Sequence, residues 1–75
     1  MVIMDQMMPA MSGVEALRAM RAEDKFSQTP VLFFTATEDE RAHAEAMNLG
    51  AQGWLRKGQA SLDDILAEVA KAKEN

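Results

Sequence analysis

Three short apolar runs without polar alternation punctuate the chain: Val2-Ile3-Met4, Val31-Leu32-Phe33-Phe34 and Trp54-Leu55. Continuous runs of this length, β-branched or aromatic and bounded by turn residues, suit strands covered on both faces, as in a parallel sheet. Between and after them the apolar positions switch to helical spacing. Val14, Leu17 and Met20 form one stripe, Ala42, Ala46 and Leu49 a second, and Leu62, Ile65, Leu66 and Val69 a third. The pattern predicts strands near 2–4, 31–34 and 51–56, each followed by a helix. Strands alternating with helices in β-α-β-α-β-α order imply an α/β fold, a three-stranded parallel sheet with right-handed crossovers.

Local signals sharpen the boundaries. Ser12 followed by Glu15 is a capping box that opens the first helix, which should run from about 13 to 23. Residues 24–29 are polar and Pro30 follows, which reads as a loop. Thr37 with Glu40 makes a second capping box, and Glu38, Asp39 and Glu40 load that helix start with the charge its dipole favours. Gly50 suits the residue just past that helix. Its stripe is mostly alanine, so this helix is expected to dock most weakly of the three. Ser61 caps the last helix, whose buried face should carry Leu62, Ile65, Leu66 and Val69. The tail from Lys71 to Asn75 is expected to be solvated and frayed. The sequence carries no internal repeat and no low-complexity segment.

Size and composition narrow the function classes. At 75 residues the chain holds one domain at most, and a chain this short buries only about 60% of its unfolded surface. It has no cysteine and a single histidine, His43, which argues against disulfides and zinc. The net charge of −4 argues against nucleic-acid binding, which needs a basic footprint. No apolar run approaches the roughly 20 residues of a membrane span, and no signal-peptide pattern is present. A cytoplasmic protein is the expectation. The first strand-like run follows Met1 directly, so position 1 is not expected to be a natural domain boundary.

The candidate chemistry lies where the strands stop. In open α/β sheets the functional crevice lies beyond the carboxyl ends of the strands. Asp5, Thr35 and Lys57 are the first hydrogen-bonding side chains at or just past those three ends. A carboxylate, a hydroxyl and an ammonium suit phosphoryl transfer to an aspartate, which needs oxygen positioning and charge neutralisation and little else. Spacing alone fits an Asp–Lys ion pair at a sheet edge equally well.

The segment Asp5-Gln6-Met7-Met8-Pro9-Ala10-Met11-Ser12-Gly13 resembles the D-x-x-M-P-x-M-x-G signature of response-regulator receiver domains, the CheY-like family. Pro30-Val31-Leu32-Phe33-Phe34-Thr35-Ala36 is similar to that family's fourth strand with its Thr/Ser. Gly50-Ala51 followed by Trp54-Leu55-Arg56-Lys57 is similar to its fifth strand with its lysine. Three pieces in the right order and spacing are far more specific than any one of them. The chain resembles a partial receiver domain over 1–75, the last three strand–helix units of the family fold.

The resemblance implies that Asp5 is the phosphoacceptor of a two-component signalling module, fed by a histidine kinase or phosphotransfer protein. It implies that Thr35 and Lys57 contact the phosphoryl group and that Trp54 occupies the position of the reorienting aromatic. Plain packing on the sheet accounts for Trp54 as well. Family members bind Mg²⁺ through the phosphoacceptor, a backbone carbonyl two residues on (Met7 here) and an acidic residue of the first strand. That acidic pair and the first two strand–helix units have no counterpart in the chain, so the metal site is expected to be incomplete and phosphorylation impaired. Gly58 stands where the family usually has proline. An open edge on the Val2–Met4 strand and uncovered helix faces imply self-association into a dimer or higher oligomer. That leaves an alternative reading, an interaction module that is not phosphorylated. A dehalogenase-type phosphatase would want a second aspartate at position 7, and an FMN site a Ser/Thr/Gly-rich phosphate loop. Neither is present. The seven methionines suit an adaptable surface, and His43 reads as a solvated helix residue.

Overall fold

The computed structural model describes residues 1–74, with side chains described as far as Ala72. The elements are β1 (Val2–Met4), α1 (Gly13–Ala22), a single 3₁₀ turn (Asp24–Phe26), β2 (Val31–Thr35), α2 (Glu40–Asn48), β3 (Gly53–Arg56) and α3 (Leu62–Glu74). All strand pairs are parallel and the sheet order is β1-β2-β3. Val2 pairs with Val31 and Met4 with Phe33, while Phe33 pairs with Trp54 and Thr35 with Arg56. Because side chains alternate along a strand, Val31, Phe33, Thr35 and Trp54 share one face and Leu32, Phe34 and Leu55 the other.

The first face carries the core. Val14 and Leu17 of α1, Val31 and Phe33 of β2, Ala42 and Ala46 of α2, and Ala51 form one buried cluster. Ser12 caps α1 as the motif predicts, its hydroxyl accepting the Glu15 N–H at 3.1 Å while Glu15 reaches back to the Ser12 N–H. Gly13 is the first residue of that helix because α1 starts in contact with β1's exit. A Cβ there would lie 2.5 Å from the Asp5 carbonyl oxygen.

Several expectations change. The cap of α2 is Asp39, whose carboxylate accepts the N–H groups of Arg41 and Ala42. Thr37 lies outside the helix, its N–H donating to the Thr35 hydroxyl. Glu40 is thus the first helical residue and cannot serve as the third. Nor is α2 the most weakly docked helix. Its alanines let it approach the sheet closely, and Ala46 is fully buried. The weakest docking belongs to α3, which has no buried residue among those described. Leu62 and Leu66, expected in its buried face, are 70% and 54% exposed. The side of α3 that meets the protein runs through Ile65, Glu68 and Val69, with Gln52 donating to Glu68 at 2.8 Å. Likewise β1 is not covered on both faces: it is an edge strand, and Ile3 is half exposed. β3 begins at Gly53 rather than Ala51, and residues 24–26 form a helical turn rather than open loop. α3 stays helical through Lys71–Glu74, where fraying was expected, while Asn75 lies outside the described residues.

Candidate functional site

The three strands end side by side, and their exits carry the polar groups. Asp5 follows β1 directly, Thr35 is the last residue of β2, and Lys57 follows β3. The parallel ladder continues one step beyond β3, with the Lys57 N–H donating to the Thr35 carbonyl at 2.9 Å. That bond fixes where the lysine side chain starts. Its ammonium then reaches across β2 to Asp5, donating to Oδ2 at 2.8 Å. The other carboxylate oxygen accepts the Met7 N–H at 3.0 Å.

This setting pulls the Asp5 carboxyl down from 3.8 to about 2. The hydrogen bond from Lys57 is the largest cause, the Met7 N–H comes second, and the Thr35 hydroxyl adds a smaller effect in the same direction. Asp5 therefore stays ionised near neutral pH, with its negative charge beside a cation. Thr35 is fully buried, so its hydroxyl is held by packing. Lys57 remains 45% exposed, and Gly58 next to it adopts φ +89°, a conformation open to glycine at little strain.

The loop between β1 and α1 is built to hold the carboxylate in place. The Gln6 carbonyl accepts the Gly13 N–H at 3.0 Å, and its side-chain oxygen accepts the Val14 N–H at 2.9 Å. Two of the free donors at the start of α1 are thus satisfied by the residue next to Asp5. Between them the chain makes a tight turn at Ala10, which sits at φ +74° with Met11 N–H bonded back to the Pro9 carbonyl.

All three residues expected at the strand exits meet there. The Trp54 indole N–H makes no hydrogen bond to the carboxylate. Trp54 pairs with Phe33, two residues before Thr35 on the same face, its ring stacked on Phe33 at 5.0 Å and on His43 at 5.1 Å. Gln6 and Arg21 had no sequence signal. The Arg21 guanidinium donates to the carbonyls of Leu49, Thr29, Phe26 and Gly50, tying α1 to the ends of the turn after it and of α2. His43 is exposed, as expected of a solvated helix residue, but it also covers Trp54.

The Mg²⁺ expected from the resemblance can be tested against the residues present. Mg²⁺ prefers octahedral oxygen coordination. Both oxygens of Asp5 are already engaged, and no group of three or more His, Asp or Glu side chains comes together among the described residues. The residues present do not fit the ion by themselves.

A parallel sheet whose carboxyl edge presents an ionised aspartate to a lysine and a buried threonine defines an α/β domain with a charged site at the strand exits. The response regulator receiver domain model matches residues 1–70, and the chain belongs to that family. Chemotaxis protein CheY of Pseudomonas aeruginosa is 36% identical over 72 residues, covering 96% of the chain and 53% of that protein. Hybrid signal transduction histidine kinase D of Dictyostelium discoideum is 30% identical over 69 residues, covering 92% of the chain and 4% of the kinase. The structure of the BeF₃-activated DrrB receiver domain superimposes with a TM-score of 0.83 at 26% identity, covering 99% of the chain and 61% of DrrB. The chain thus spans about half, or less, of the curated relatives it matches.

Proposed function

We propose that the chain is the phosphoryl-accepting part of a two-component receiver, with Asp5 as acceptor. The observation that carries this reading is the contact of Lys57 with Asp5 at the sheet's carboxyl edge, 2.8 Å between charged atoms. An Asp5 oxygen attacks phosphorus, the bond to the donor's leaving group breaks, and an acyl phosphate forms. Lys57 then pairs with a phosphoryl oxygen, and the Thr35 hydroxyl donates to another as its loop closes. Trp54 reorients with that closure. The module is an acceptor in a relay rather than an enzyme that turns over a pool of substrate. Its partner on this reading is a histidine kinase or phosphotransfer protein, in a cytoplasmic setting. The described residues include no helix long and apolar enough to cross a membrane.

Transfer to this chain alone is expected to be slow, because Asp5 and the Met7 carbonyl are an incomplete Mg²⁺ set. Borohydride traps acyl phosphates as they form, so a slow transfer still accumulates. With excess acetyl phosphate and Mg²⁺, reduction should convert Asp5 and no other residue to homoserine, at a level well below one per chain. Conversion elsewhere, or none after prolonged exposure, would overturn the assignment. Self-association is part of the same reading, supported by the open β1 edge and by Ile3, Leu62 and Leu66, all more than half exposed. Sedimentation at micromolar concentration should find a dimer, and a folded monomer would remove that element.

A further inference from the structure

Trp54 and His43 are the only residues of their kinds in the chain, and they are stacked. Their ring centroids lie 5.1 Å apart with planes within 14°. Phe33, fully buried, stacks on the same indole at 5.0 Å and 9°. Phe33 reaches the indole from the neighbouring strand, and the exposed His43 from α2. Trp54 is therefore held between a fixed ring and a ring that can change charge.

We infer that His43 is a proton-operated clamp on Trp54: protonation of the imidazole holds the indole against Phe33, and deprotonation loosens it. An imidazolium over an aromatic face gains the attraction of a cation for the ring quadrupole, which a neutral imidazole lacks. Histidine is the side chain whose ordinary titration lies between pH 5 and 8.

The charged groups around the stacked pair come from α2, its cap and β3. On α2 the neighbouring acids are Asp39 and Glu40, one turn before it, and Asp39 is engaged in capping the helix. From β3 the charged neighbour of Trp54 is Arg56, paired with Glu38 at 2.8 Å. Phe33 brings no charge from β2. Carboxylates and guanidinium groups of ordinary strength do not change charge between pH 5 and 8. The Nε1–H of Trp54 is buried with no partner among the described residues, and stacking is the contact they give the indole on both sides. A consequence for signalling, that acid conditions resist the reorientation of Trp54, rests on the proposed role of that residue. The clamp itself does not.

The test is acrylamide quenching of the single tryptophan at pH 8 and pH 5, with circular dichroism confirming the fold at both. Acrylamide is neutral, and the constant taken is the bimolecular one, the quenching slope divided by the unquenched lifetime measured at each pH, so it reports access rather than local charge or quenching by His43 itself. In the parent chain the constant should fall on the order of two- to fivefold on acidification, the population shift that an exposed cation–π contact supports. His43→Phe keeps a stacked ring that cannot titrate, and His43→Gln removes the ring with little cost on an exposed helix face. Both should lose the pH dependence, with His43→Gln quenched strongly at either pH. Asp5→Asn should keep the dependence in full, which separates the clamp from the phosphoacceptor assignment. A constant that does not change with pH in the parent, or that changes equally in His43→Phe, would overturn the inference.

Discussion

Gly13→Ala is a one-carbon change that the fold should resist. The added Cβ would lie 2.5 Å from the Asp5 carbonyl oxygen, 2.8 Å from the Phe33 ring and 3.0 Å from the Gln6 Cα. Two of those three are backbone atoms in the loop that carries Asp5, and the third belongs to a fully buried side chain. None can swing aside, so the start of α1 must lift away from the exit of β1. The bonds from Gly13 and Val14 to Gln6 then lengthen. Overpacking of this kind costs about 1–3 kcal/mol, and the weakened bonds add about 1 kcal/mol. Alanine returns at most about 1 kcal/mol through its better helix propensity. The balance is a loss of about 2 kcal/mol, against a total of roughly 4–11 kcal/mol for a domain of this size. The midpoint of thermal unfolding should fall by about 8–16 °C. Circular dichroism with Trp54 fluorescence would measure it, and the Asp5 and Gln6 amides should show the largest chemical-shift changes. An alanine variant as stable as the parent would refute the argument, since it would show that α1 is free to slide over the strand exit.

Three further changes probe other parts of the same region. Lys57→Met should raise the Asp5 midpoint from about 2 toward the ordinary carboxylate range, read by carbon NMR of the carboxyl, and an unmoved midpoint would show that Lys57 does not set it. Because the folded-state value is depressed, the stabilisation is present in full above the unfolded value near 3.8 and is lost as pH falls through about 2. Lys57→Met should thus cost stability at neutral pH and little at pH 2, by about 1 kcal/mol or less, since both partners are partly exposed and water screens the pair. Ala10→Gly should raise stability by up to about 1 kcal/mol in urea unfolding, because φ +74° strains alanine and not glycine, although glycine's greater freedom in the unfolded chain offsets part of it. A clear loss would mean that the turn is not strained. Arg21→Lys keeps the charge but cannot span four carbonyls, so it should cost about 1–2 kcal/mol and speed amide exchange near Leu49 and Gly50. Unchanged exchange there would show that the guanidinium bonds do not tie the elements together.

Local chemistry along the chain was enough to determine the elements, their order and the three residues that meet at the strand exits. Apolar runs, helical stripes and the Ser12–Glu15 box are short-range signals, and a parallel α/β order leaves little choice about which ends of the strands come together. Only the tertiary structure decided what each face meets. Leu62 and Leu66 have the spacing of a buried stripe, yet burial depends on what lies opposite, and nothing among the described residues covers them. The alanines of α2 look like a weak interface by hydrophobicity alone, but small side chains permit the close approach that buries Ala46. Gln6, Arg21 and His43 carry no motif. Their roles come from partners 7 to 29 positions away, brought near by the fold: the start of α1, the carbonyls at the end of α2, and an indole on β3.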